Sequence, residues 1–175
     1  MGEMTKNVVL VIGCGNPARG DDGLGPALAE AIAALQLSGV SVDSDYQLTI
    51  EDAAAAAEHR YVIFADADAS GPVPFDFRAV QPDRSAESFS SHSVSPEAVL
   101  ALARELRNAG TEGYVLAIRG YEFGAFQERL SEKAQANLER AVQFLAEVLA
   151  EGDGAGLRRA ASKAGQALPA PSSGQ

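Results

Sequence analysis

Val8-Val9-Leu10-Val11-Ile12-Gly13-Cys14-Gly15-Asn16-Pro17-Ala18-Arg19-Gly20-Asp21-Asp22-Gly23-Leu24-Gly25 is the stretch on which the fold turns. Its opening run is continuous, apolar and mostly β-branched, and glycine ends it, as for a strand buried on both faces of a parallel sheet. The glycines that follow let the backbone turn tightly at the strand's end. Asp21 and Asp22 are thereby delivered into the crevice beyond the sheet, where α/β folds bind ligands. Pro26 suits the first turn of a helix whose apolar face takes in Leu28, Ile32 and Leu35.

Gly13-Cys14-Gly15-Asn16-Pro17-Ala18 also fits the dinucleotide fingerprint G-x-G-x-x-G/A. In that fold the helix begins within the glycine motif, and its amides cradle a pyrophosphate. Here Pro17 and Gly20 postpone the helix, and Asp21 and Asp22 would stand where the phosphate charges lie. No nucleotide is expected. The carboxylates suit a cation, or else they serve only the turn and the helix terminus.

Outward from this loop, strands and helices alternate. Val40 to Gln47 reads as a strand, Glu51 to Glu58 as a short helix, and Tyr61 to Phe64 as a strand followed by Asp66 and Asp68. Phe75 to Val80, flanked by prolines, suggests an edge strand or an antiparallel excursion. Ser95 and Pro96 start a helix to about Arg107 with Val99, Leu102 and Leu106 on one face. Tyr114 to Ile118 is a strand. Ser131 caps a long helix to about Ala150, with Leu138, Val142, Leu145 and Leu149 inward. The expected fold is a three-layer α/β sandwich, a mostly parallel twisted sheet flanked by helices with one edge strand antiparallel.

The chain has 175 residues, 46% of them hydrophobic, enough for one domain, assigned to residues 1–151. The segment 152–175, rich in Gly, Ala, Pro and Ser, is expected to be disordered. Its Arg158, Arg159 and Lys163 could still meet a partner. A single cysteine, Cys14, excludes an internal disulfide or a multi-thiolate zinc site and fits a reducing compartment. No run of apolar residues is long enough for a membrane span or a signal peptide, so a soluble cytoplasmic protein, a monomer, is expected. A formal net charge of −10 opposes a nucleic-acid surface.

Asp66, at the carboxyl end of its strand, should face the same crevice as the Asp21-Asp22 loop. His92, in Ser90-Ser91-His92-Ser93, sits on a loop able to carry its ring to the sheet edge. Carboxylates with one imidazole suit nickel, zinc or manganese and leave positions open for water or substrate; the alternative is that all are solvated loop residues. Asp68 is read as loop solvation rather than a supporting acceptor. His59 is explained by its helix end. Cys14 is read as a packed small side chain, and no G-x-S-x-G elbow makes a nucleophile of the serines around His92.

The loop Gly13 to Gly25 resembles the N-terminal motif of the hydrogenase maturation endopeptidases. Tyr46-Gln47-Leu48-Thr49-Ile50-Glu51-Asp52-Ala53, Phe64-Ala65-Asp66-Ala67, Ser91-His92-Ser93-Val94-Ser95-Pro96 and Ile118-Arg119-Gly120-Tyr121 reinforce it in family order. The Tyr-Gln-Leu and Arg-Gly-Tyr segments are most similar to the branch serving NAD-linked, bidirectional hydrogenases. The resemblance implies a metal-dependent endopeptidase that removes the C-terminal extension of the nickel-iron hydrogenase large-subunit precursor after nickel insertion. Asp22, Asp66 and His92 fall on the family's metal-contacting and catalytic positions; some members carry Glu where this chain has Asp22. The nickel would be supplied by the precursor. The competing reading is a nickel-binding assembly scaffold without peptidase activity.

Overall fold

The computed structural model describes residues 8–85, 94–107 and 110–166. The chain runs β1 (Val9–Cys14), a 3-10 turn (Gly20–Gly23), α1 (Leu24–Ala34), β2 (Val40–Asp45), α2 (Ile50–Ala57), β3 (Tyr61–Asp68) and β4 (Phe75–Val80). It continues with α3 (Pro96–Arg107), β5 (Glu112–Arg119), α4 (Glu132–Ala150) and α5 (Gly154–Gln166). The strands form one sheet in the order β2-β1-β3-β5-β4. All neighbours are parallel except β4, which pairs antiparallel with β5 at the edge.

Alternation along the strands divides the core into two layers. Val11, Ile63, Leu116 and Ile118 meet Leu24, Leu28 and Ile32 of α1 and Leu138 and Leu145 of α4 on one face. On the other, Leu10, Ile12, Val62 and Phe64 meet the alanines of α2 and Val99, Leu100 and Ala103 of α3. The three-layer sandwich is therefore the observed fold. Its helices begin where side chains stand in for missing backbone partners: Thr49 and Asp52 form a capping box at α2, with Thr49 N–H to Asp52 Oδ2 at 2.7 Å. Ala98 N–H donates to Ser95 Oγ at 3.2 Å at the start of α3, as the sequence led us to expect.

Three expectations need correction. Leu35 lies just past α1 and is 47% exposed, and Leu106 in the last turn of α3 is 61% exposed, so neither belongs to its helix's inward face. β3 does not stop before Asp66 but runs to Asp68, held by its pairing with β5 as far as Arg119. The segment from residue 152 is not wholly unstructured: α5 buries Leu157 in the α1/α4 layer and ties Arg158 Nε to Glu112 Oε2 at 3.0 Å. Gly154 packs so closely on Tyr61 that a Cβ would fall 1.8 Å from the phenol oxygen. Small residues there permit contact, which composition alone reads as disorder. Residues 167–175 lie outside the described residues, and no helix among those described is long and apolar enough to cross a membrane.

Candidate active site at the switch point

The chain leaves β1 through α1 to reach β2 on one side, then returns through α2 to reach β3 on the other. The direction of winding reverses between β1 and β3, and in such sheets the crevice at the carboxyl ends opens at that reversal. Cys14 ends β1 one position beyond the Gly13↔Ala65 pair, and Asp66 follows Ala65 on β3. The loop carrying Asp22 folds back over this point. A Cβ on Gly15, whose φ is +139°, would lie 1.9 Å from Asp22 O; one on Gly25 would lie 2.1 Å from Cys14 O and 2.6 Å from Ala65 O. These two positions demand glycine because backbone meets backbone there.

The adjacent aspartates part company in this turn. Successive residues of a 3-10 helix point about 120° apart. Asp21 turns inward and is fully buried. Its Oδ2 accepts from Tyr121 N–H at 2.7 Å, Glu122 N–H at 2.9 Å and Ser131 Oγ at 2.7 Å; its Oδ1 accepts from Ser131 N–H at 2.7 Å. Burial alone would raise its pKa, but these bonds favour the charged form more strongly and hold it below the ordinary value. Asp21 thus fastens the metal-loop candidate to the Arg119-Gly120-Tyr121 segment and to the cap of α4. Asn137 Nδ2 completes that brace, donating to Arg119 O at 3.0 Å and Tyr121 Oη at 3.1 Å.

Asp22 points the other way and is half-buried, with Asn16 N–H donating to its Oδ2 at 2.9 Å. Asp66 accepts from Ala67 N–H at 2.8 Å and stays open to solvent on one side. Removal from bulk water pushes the Asp66 pKa up to about 6; the Ala67 N–H opposes this, and the charges of Asp22 and Asp68 add to it. Much of the space around the carboxylate is filled by protein while its surface remains wetted. Through that wetted surface, solvent screens the charge. Asp22 is near enough for its charge to act on Asp66. His92, with Ser90, Ser91 and Ser93, lies outside the described residues, and among those described no cluster of three metal-ligating side chains occurs.

The bland readings hold elsewhere. Asp68 Oδ1 accepts from Ser70 N–H and Gly71 N–H at 2.9 Å each, closing a turn. His59 Nδ1 lies 2.8 Å from Ala55 O and Nε2 3.2 Å from Ser41 Oγ, a structural role at the end of α2. Cys14 is buried, and desolvation together with the charges of Asp66, Asp52, Asp45 and Asp43 pushes its thiol up to about 12. A thiol so held is neutral at physiological pH and a poor nucleophile.

This site defines a class: an α/β protein with two carboxylates at the switch point and no activated thiol beside them. The known structures narrow it. A [NiFe] hydrogenase maturation protease, HycI, from Thermococcus kodakarensis KOD1 superposes with a TM-score of 0.64 at 24% identity, covering 81% of this chain and 92% of that one. The endopeptidase HycI from Escherichia coli gives 0.60 at 26% identity, over 79% of this chain and 88% of its own. A hydrogenase 3 maturation protease gives 0.58 at 26% identity, over 81% and 90%. The chain matches no family model and no curated protein. In fold it resembles the hydrogenase maturation endopeptidases, as its glycine loop indicated.

Proposed function

We propose that the chain is an endopeptidase that removes the C-terminal extension of a nickel-iron hydrogenase large-subunit precursor once nickel has been inserted. The observation that carries this is the placing of Asp22 and Asp66 at the mouth of the sheet, where burial, and to a lesser degree the charge of Asp22, raises the Asp66 pKa to about 6. Such a pair is relieved by a cation. In this reading the cation arrives with the substrate, held by the precursor's own ligands, and Asp22, Asp66 and His92 meet it. Recognition then distinguishes a loaded precursor from an empty one, because the apo substrate leaves the carboxylates repelling each other.

With the scissile bond held there, a substrate-borne metal would serve recognition and could supply electrophilic assistance. A carboxylate with a pKa near neutrality can take a proton from attacking water. The inert thiol of Cys14 supports a route that does not run through a cysteine nucleophile. The Tyr46-Gln47-Leu48 and Arg119-Gly120-Tyr121 segments support assignment to the branch serving NAD-linked hydrogenases. The test is release of the C-terminal peptide from nickel-loaded and apo precursor, read by mass spectrometry beside an Asp66→Ala variant.

A further inference from the structure

A cleft of about 510 Å³ lies on the shoulder of the sheet where α1 overhangs β2, outside the Asp22–Asp66 pair. Ala27, Glu30 and Ala33 of α1 form one wall, β2 contributes Asp43, and Glu128 and Leu130 form the far side. Small residues on that face of α1 leave the space open. Its inner end rests on Gly20 and Gly23, the two residues that bracket Asp21 and Asp22. A chain lying in the cleft is therefore led to the candidate site.

The floor of the cleft is an unpaired sheet edge. β2 is the last strand on its side of the sheet among the described residues. Gly15 N–H donates to Asp45 O at 3.1 Å, which fixes the phase of the parallel ladder: Asp45, Asp43 and Ser41 turn their peptide groups toward β1, and Val40, Val42 and Ser44 turn theirs outward. Ser44 N–H is taken by Asp43 Oδ1 at 2.8 Å, and Val40 N–H by Leu37 O at 3.3 Å. Val42 presents both its N–H and its C=O to the cleft side. An extended peptide can add there as a further strand, with main-chain bonds giving affinity and its alternate side chains giving selectivity.

Charge selects the occupant. Three acidic residues, Glu30, Asp43 and Glu128, line the cleft and no Lys or Arg does, in a chain of formal net charge −10. An acidic edge repels the edge strands of its own copies, which guards it against self-pairing, and the same charge attracts a basic strand. We propose that the α1–β2 cleft binds an extended, Lys- or Arg-bearing stretch of the substrate polypeptide by strand addition to β2. The identity of the partner rests on the peptidase reading; the binding rests on the cleft.

The test uses the full chain and a fluorescein-labelled hexapeptide of alternating Lys and Thr, with its Glu-Thr counterpart as control. Fluorescence anisotropy at low salt should show saturable binding of the basic peptide alone, weakened at least tenfold in Glu30→Lys/Glu128→Lys. Both replaced residues are exposed, so folding is not at stake. In the same titration the backbone amide signal of Val42 should shift and exchange more slowly with deuterium. Equal binding of both peptides, absence of binding, or shifts away from β2 would overturn the proposal. Cleavage of the precursor by the double variant then separates the two readings. Unimpaired cleavage would overturn the cleft proposal while leaving the peptidase, and peptide binding by a chain that cleaves nothing would leave the cleft while ending the peptidase.

Discussion

Asp66→Asn should make the protein more stable at neutral pH while abolishing its activity. In the folded chain the Asp66 pKa stands at about 6 against an ordinary value of 3.8. Between these values the unfolded chain gives up its proton first, so native stability falls as pH rises from about 4 to about 6 and stays reduced above that. The shift taken at face value is worth about 3 kcal/mol, but solvent reaches Asp66, and screening brings the expected gain in Asp66→Asn to about 1 kcal/mol. The Asn carbonyl can keep the bond from Ala67 N–H, so removal of the charge is the main change. For a chain of this size the gain is a melting-temperature rise of about 2–4 °C at pH 7.5, shrinking to nothing toward pH 4. Thermal melts of wild type and variant across that range read it directly. A variant no more stable than wild type at pH 7.5, or equally stabilised at both ends, would refute the view that Asp66 is held at an electrostatic cost.

Asp21→Ala should unfold or severely weaken the protein, by about 3 kcal/mol or more in urea denaturation, since it orphans four donors around one buried carboxylate. Because the Asp21 pKa is lowered, its contribution is present above the ordinary carboxylate range and is lost as pH falls through the folded value; Asp21→Asn should flatten the acid limb of the stability curve. Gly25→Ala should cost about 1–3 kcal/mol and depress cleavage, because its Cβ can be placed only by moving α1 off Cys14 O and Ala65 O. Native protein should resist iodoacetamide at pH 8, with labelling of Cys14 appearing only in denaturant, because its thiol is buried and pushed up to about 12.

The fold was legible because β-branched runs, caps and glycine breaks all pointed one way. Ser95 and Ser131 marked helix starts, and the prolines around Phe75–Val80 gave away the antiparallel edge. What escaped depends on contacts between distant segments. Leu35 and Leu106 kept the apolar spacing yet fell at helix ends with nothing to cover them. In α5, Ala and Gly look like linker but permit packing against Tyr61. At the site, Asp66 could be placed near the carboxyl end of its strand, although the strand itself runs on to Asp68, whereas the split between Asp21 and Asp22 could not be read. Only the tight turn, and the Tyr121 and Ser131 donors about a hundred residues away, decide which aspartate faces inward. The readable hint was Ser131 at a helix start together with the Arg119-Gly120-Tyr121 segment, though neither names its partner.

The measurement that bears most directly on the central claim is incubation of the full chain with large-subunit precursor, nickel-loaded and apo, with the released C-terminal fragment read by mass spectrometry. One defined fragment is expected from the nickel-loaded precursor, little from the apo form, and none with Asp66→Ala. Equal cleavage of both forms, or cleavage undiminished in Asp66→Ala, would contradict the carboxylate site; no cleavage of a verified cognate precursor would contradict the peptidase itself.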